Sequence, residues 1–99
     1  MFMLTHIVLF KLKDRSPENI HQLSAILKSM EGQIPPLRQI EVGVNMVESA
    51  RAYDVALITR FDSLAAMKDY QAHPYHVANV LPHVNALAES VAAVDYETP

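Results

Sequence analysis

Hydrophobic residues near the start of the chain form the pattern of a β-strand over residues 4–13. The run is rich in branched and aromatic side chains, which favour strands. One predicted face carries Leu4, His6, Val8, Phe10 and Leu12. Ile7 and Leu9 point to the opposite face, so the strand is apolar on both sides and we expect both faces to be covered.

After this strand the apolar spacing becomes helical. The run Ser16-Pro17-Glu18 is typical of a helix start, with serine as the N-cap, proline in the first turn and an acid favoured by the helix dipole. The apolar stripe that follows consists of Ile20, Leu23, Ile26, Leu27 and Met30. We predict that Gly32 ends the helix and that residues 34–37 are extended, because each proline there disfavours helix in the preceding residue.

The second half of the chain contains three further strands and a second helical region. The predicted strands cover residues 38–47, 53–61 and 91–97, and a helix begins at Asp62-Ser63. We predict that His73-Pro74 interrupts this helix and that Pro82 bends or divides the helical stretch that follows it.

The resulting order is β-α-β-β-α-β with an extra helical turn before the last strand. It predicts an α+β, ferredoxin-like fold in which one four-stranded antiparallel sheet carries both helices on one face. Residues 1–99 contain no repeat or linker and are predicted to form a single domain. Two helices would leave the face with Ile7 and Leu9 bare, so we expect a homodimer packed through this sheet face. The alternative is a monomer with a partly apolar exposed sheet.

Composition narrows the possible functions. Of 99 residues, 51% are hydrophobic and 19% are charged, which excludes a disordered tail. The absence of cysteine excludes disulfides and thiolate metal sites, and a net charge of -3 argues against binding of nucleic acid. We see no signal peptide and no membrane span, and therefore expect a cytoplasmic protein without membrane partners.

Two segments resemble a known family. The segments are His6-Ile7-Val8-Leu9-Phe10-Lys11 and Asp69-Tyr70-Gln71-Ala72-His73-Pro74-Tyr75-His76-Val77, and they resemble the stress-responsive dimeric α/β-barrel domain. The resemblance covers essentially the whole chain and implies a homodimer whose two sheets close into a barrel. The best understood relative is olivetolic acid cyclase, a plant polyketide cyclase that performs a cofactor-free aldol ring closure.

The resemblance to the cyclase implies a catalytic pair, Tyr70 and His76, with His6 in the same pocket. Val55 stands where the cyclase has a histidine, and Leu27 where it has a tyrosine. These differences argue against the same substrate.

The chemistry of the pair fits aldol closure or enolisation. Such reactions need a base that takes a proton from carbon beside a carbonyl, and a donor for the oxyanion that develops. We predict His76 as base, Tyr70 as donor and His6 as an orienting or pocket-lining group. The remaining predicted substrate-binding residues are Val8, Phe10, Leu27, Val55, Met67 and His73.

Structural roles remain open for three of these residues. Tyr70 at the edge of a core would keep its hydroxyl in water, His73 before proline would bind backbone at a helix end, and His76 would have a structural role. A metal shared by His73 and His76 is disfavoured because Pro74 disturbs their helical spacing, and no cofactor is predicted.

Two hypotheses for function follow. The first is a cofactor-independent cyclase or isomerase acting on a small apolar carbonyl or polyketide-like compound. The second is a non-catalytic, stress-associated structural or ligand-binding dimer.

Overall fold

The computed structural model describes residues 2–99 and has the predicted order of strands and helices. The elements are β1 (Met3–Leu12), α1 (Pro17–Lys28), β2 (Gln39–Val44), β3 (Val55–Phe61), α2 (Leu64–Ala72), a π-helical segment (Tyr75–Val80, called the π segment below), α3 (Leu81–Leu87) and β4 (Ala88–Thr98). The strands form an antiparallel sheet in the order β2-β3-β1-β4. This is the ferredoxin-like arrangement that the sequence predicts.

Serine side chains begin the two longer helices. The Oγ of Ser16 accepts a hydrogen bond from the Asn19 N–H at 3.2 Å, and the Oγ of Ser63 accepts one from the Ala66 N–H at 3.1 Å. Each bond satisfies a backbone donor that the helix leaves without a partner. Both helix starts agree with the prediction.

The segment between α1 and β2 differs from the prediction. Residues 34–37 form a turn in which the Leu37 N–H donates to the Ile34 carbonyl at 3.0 Å, so the expected extended conformation is wrong. The cause is that proline also has the φ angle that the second position of a turn requires. Helix α1 ends at Lys28, and Gly32, with φ of +78°, lies in the turns that follow it.

The helical stretch after Pro74 has two parts with different geometry, next to the proline at which the sequence predicts a bend or a division. The division falls between the π segment and α3, and Pro82 lies in the first turn of α3, where a missing N–H costs little. Strand β4 begins at Ala88, three residues before the predicted start at Val91.

The two faces of the sheet have different surroundings. The face toward the helices carries His6, Val8 and Phe10 of β1, and it packs on one hydrophobic core that includes Leu23 and Leu27 of α1. The opposite face is called the outer face below. Its apolar centre, which the strand register aligns across three strands, consists of Ile7, Leu9, Ala56, Ile58, Ala92 and Val94.

The first and last strands pair along nearly their whole lengths. The register runs from Met3 opposite Thr98 to Leu12 opposite Ala88, with an irregularity at Lys11 and Leu12. This pairing sets His6 directly opposite Asp95. In the part of the chain that the structure describes, every helix is too short or too polar to cross a lipid bilayer.

Candidate functional site

A cavity of about 240 Å³ lies between the helix-facing side of the sheet and the helical layer. Its lining residues are His6, Val8, Phe10, Leu27, Met30, Leu57, Tyr70, Gln71, His76, Val80, Leu81, Val84, Val91 and Ala93. Most of these side chains are aliphatic or aromatic, and none is lysine or arginine. The polar groups that converge on this apolar space are two imidazoles, one phenol and one amide, a combination typical of a small-molecule site.

Tyr70 lies in the wall of this cavity on the buried side of α2. The residue is 1% exposed, and its ring packs beside those of Phe61 and His76 at centroid distances of 4.9 and 4.8 Å. The hydroxyl donates a hydrogen bond to the Sδ of Met30 at 3.5 Å. Burial raises the pKa of the Tyr70 hydroxyl, so the group remains a neutral donor at physiological pH.

The thioether of Met30 is a weak acceptor. A carbonyl or oxyanion oxygen in the cavity would therefore be a stronger partner for the Tyr70 hydroxyl than the sulfur it now contacts. The hydroxyl can change partners at little cost in free energy.

His76 owes its orientation to the end of α2. Pro74 holds His73 in an extended conformation, with ψ of 137°, and this ends the helix at Ala72. Pro74 has no N–H, and the Tyr75 N–H donates to the Nδ1 of His73 at 3.1 Å. The Gln71 carbonyl is thus left for the side chain of His76, whose Nδ1 bonds it at 3.1 Å.

This bond determines which nitrogen of His76 can act as a base. A carbonyl oxygen only accepts, so Nδ1 carries the hydrogen and the neutral ring keeps its lone pair on Nε2. Burial lowers the pKa of His76 below its ordinary value of 6.5, the Gln71 carbonyl opposes this shift, and the nearby His6 ring lowers the pKa further. Near neutral pH the ring is therefore mostly in its basic form.

The second imidazole, His6, is held by Asp95 across the β1–β4 pairing. Its Nδ1 donates to the Asp95 carboxylate, and its ring lies edge-on to Tyr70 at a centroid distance of 6.5 Å. The neutral ring therefore also keeps its lone pair on Nε2. Our sequence reasoning gave Asp95 no role, although antiparallel pairing of the first and last strands is the signal that could have found it.

Comparison with known proteins supplies the family. Residues 4–98 match the Stress responsive A/B Barrel Domain, which covers nearly the whole chain. The chain belongs to this family. The resemblance seen in the sequence is thereby confirmed.

The solved structures that share the fold of this A/B barrel protein include two described as dimeric. One is a dimeric protein of unknown function with a ferredoxin-like fold from Bacteroides fragilis; it is 37% identical, the match covers 97% of this chain and 96% of that one, and the TM-score is 0.82. The other is a dimeric ferredoxin-like protein of unknown function from Thermobifida fusca, 26% identical with a TM-score of 0.85 over 98% of this chain and 92% of that one.

A sequence relative is likewise without an assigned activity. An uncharacterized protein of Streptomyces coelicolor is 36% identical over an alignment 81 residues long, which covers 79% of this chain and 84% of that protein. Family membership therefore gives the fold of this A/B barrel protein, and the residues of the cavity are what indicate its activity.

The structure brings together most of the predicted site residues of this A/B barrel protein. Those that line the cavity are Tyr70, His76, His6, Val8, Phe10 and Leu27. Val55, Met67 and His73 do not line it. Val55 and Met67 are buried in the core, and His73 binds backbone at the end of α2, which is the structural role left open for it.

A larger depression of about 300 Å³ lies away from these groups, around Gly43, Arg51 and Tyr53 near the β2–β3 connection. It contains no histidine, and its walls are the end of the outer face and a loop. Among residues 2–99 there is also no cluster of three or more histidine, aspartate and glutamate side chains placed to share a metal ion. The smaller cavity is therefore the candidate site.

Proposed function

We propose that this A/B barrel protein is a cofactor-independent enzyme that transfers a proton on a small, mostly apolar carbonyl compound. The observation that carries the proposal is the pairing, in one apolar cavity, of the buried Tyr70 hydroxyl with a neutral His76 whose Nε2 accepts no hydrogen bond from residues 2–99. Aldol cyclisation and isomerisation both begin with the step that this pair can perform.

In the proposed reaction, Nε2 of His76 removes a proton from the carbon next to the carbonyl. The electron pair of the broken C–H bond moves to the carbonyl oxygen, and the Tyr70 hydroxyl donates a hydrogen bond to the enolate that forms. The imidazolium then returns its proton, either to another carbon in an isomerisation or to the alkoxide oxygen after ring closure. His6, which Asp95 holds in place, provides a second polar group on the cavity wall and orients the substrate oxygen.

The size of the cavity limits the substrate class. A volume of about 240 Å³ is below the range of roughly 300–1,000 Å³ of pockets for drug-sized ligands. Since its lining has no lysine or arginine, a neutral carbonyl compound fits better than a carboxylate or phosphate. A short polyketide-like diketone belongs to this class.

We further propose that the protein acts as a homodimer of single-domain subunits packed through the outer face. The apolar centre of that face supports this assembly, as do the similar structures described as dimeric. The alternative to catalysis is a dimer that binds such compounds without converting them.

The catalytic proposal is tested with hydrogen–deuterium exchange at the carbon beside the carbonyl, followed by NMR on a panel of small diketones and aryl ketones. We expect exchange above the buffer rate in the native protein, and a loss of about 10²-fold or more in Tyr70→Phe and His76→Ala. Melting temperatures should change little, because Tyr70→Phe removes only a weak bond to sulfur.

His83→Ala is the matched control. The Nδ1 of His83 bonds the Asn79 carbonyl at 2.8 Å, as His76 bonds Gln71, but His83 lies outside the cavity lining. Undiminished exchange in both site variants would refute catalysis by this pair. Binding without exchange in the native protein would favour the non-catalytic alternative.

A further inference from the structure

The π segment carries His76 but has few buried side chains. Val80, at its last position, is 1% exposed, whereas Val77, Ala78 and Asn79 face solvent. A π-helical turn is also an uncommon backbone conformation that often occurs at functional sites. Besides the packing of Val80 and of the Tyr75 ring, the first turn of the segment needs a further contact to hold it in place.

Tyr75 supplies a contact of this kind. Its ring packs partly buried against the core, and its hydroxyl donates to the Oγ of Ser29, the residue that caps α1, at 2.9 Å. The Oγ of Ser29 in turn donates to the Ile26 carbonyl at 2.6 Å. The two bonds form a chain of fixed direction that ends on the backbone of α1.

This chain joins two walls of the cavity. The α1 side contributes Leu27 and Met30, and the π segment contributes His76 and Val80. The bonds from Tyr75 N–H to His73 and from His76 to Gln71 tie the segment only to the end of α2. Within residues 2–99, Tyr75 to Ser29 is the one side-chain hydrogen bond that ties the segment to the end of α1.

We propose that Tyr75 is a positioning residue whose hydroxyl, through Ser29, fixes the first turn of the π segment against α1 and thereby holds the His76 ring over Tyr70. The importance of this placement for turnover rests on the proposed function. The placement itself is a property of the protein without any ligand, and it is tested without one.

The test compares Tyr75→Phe, Ser29→Ala and the double variant with the native protein by NMR. We expect amide exchange of residues 77–80 to accelerate about two- to tenfold in each single variant, the range that corresponds to the loss of one net hydrogen bond. The pKa of His76 should rise toward its ordinary value as the ring becomes more exposed. In residues 77–80 the double variant should behave like either single variant, because both changes remove the bond from Tyr75 to Ser29.

Tyr53→Phe is the control for loss of a half-buried phenol hydroxyl, since among the described residues the Tyr53 hydroxyl has no hydrogen-bond partner and lies outside the cavity lining. Tyr53→Phe should change neither the amide exchange of residues 77–80 nor the pKa of His76. The proposal is overturned if the variants leave residues 77–80 and the His76 pKa unchanged. It is equally overturned if exchange accelerates as much in β1 and α1, because the hydroxyl would then be a general stabiliser. If the proposed catalytic function is refuted, the same NMR results are still expected, because they are measured without a ligand.

Discussion

A proline two residues away decides the chemistry of His76. Pro74 ends α2 and leaves the Gln71 carbonyl to the imidazole, so the hydrogen is placed on Nδ1 and the lone pair on Nε2. The same local break therefore both turns the chain toward the cavity and selects the tautomer. No neighbouring carboxylate is needed for this selection.

The lowered pKa of His76 predicts a pH dependence of stability. A folded-state pKa below 6.5 means that, as pH falls, the unfolded chain takes up this proton before the folded protein does. The free energy of unfolding should therefore decrease as pH is lowered through about 6.5, and the contribution of this group is fully retained only above that value.

Urea denaturation of the native protein and His76→Gln, between about pH 8 and about pH 5, measures this effect. We expect a shallower loss of stability at low pH in the variant, which has no ring to protonate. Equal pH slopes for the two proteins would show that the His76 pKa is not lowered by folding.

The contacts of some residues could be predicted from the sequence, and those of others could not. The pair Tyr70 and His76 was expected from the family resemblance, and the proline between them permitted their convergence but did not determine it. The pairing of His6 with Asp95 depends on the register of two strands from opposite ends of the chain. A slip of one residue would move Asp95 to the outer face, and the alternation of apolar residues in β4 was too weak to fix that register.

At the scale of elements, the buried carboxylate of Asp54 joins the end of β1 to the start of β3. Its Oδ2 accepts from the Leu12 N–H at 2.8 Å, and its Oδ1 accepts from Nε of Arg15 at 2.7 Å. Leu12 is 2% exposed, so its N–H has no access to water as a substitute partner.

Asp54→Ala should therefore lower the free energy of unfolding by about 1–3 kcal/mol, the cost of leaving the Leu12 N–H buried without a partner. The measurement is urea denaturation. Asp62→Ala is the matched control, because Asp62 also pairs with an arginine, Arg38, but both partners are exposed. If Asp62→Ala lowers the free energy of unfolding as much as Asp54→Ala does, the unpartnered Leu12 N–H is not the cause of the loss.

The boundary of an element could be predicted where a side chain caps a helix. It could not be predicted where the same residues are compatible with two backbone conformations. Ser16 and Ser63 marked both helix starts. Prolines 35 and 36 fitted an extended segment as well as the turn that forms. The π segment was read as ordinary helix, because its six residues are too few for the apolar spacing to distinguish π from α geometry.

At the scale of the whole molecule, the helical layer covers one face of the sheet and leaves the other apolar at its centre. Ile7 and Leu9 occupy the middle of this outer face, between β3 and β4. The alternation of side chains along β1 was sufficient to predict that this strand is apolar on both faces. The area of the outer face that a second subunit would cover could not be predicted from the sequence, because it depends on the twist of the assembled sheet.

We expect light scattering to give twice the chain mass of 11.1 kDa at micromolar concentration. Leu9→Asp should shift the mass to that of one chain, because it places an unpaired charge in the proposed interface. Leu64→Asp is the control, since Leu64 is 52% exposed on α2, on the other side of the sheet. A native mass of 11.1 kDa would refute the dimer.

The pairing of β1 with β4 determines when the cavity forms during synthesis of the chain. His6 and Asp95 are 89 residues apart in the chain. A growing polypeptide emerging from the ribosome can form α1 and the β2–β3 pair early, but the wall made by Val91 and Ala93 is added only when β4 has been synthesised. A nascent chain that lacks β4 therefore has no formed cavity, and a compound can bind there only after β4 has paired with β1.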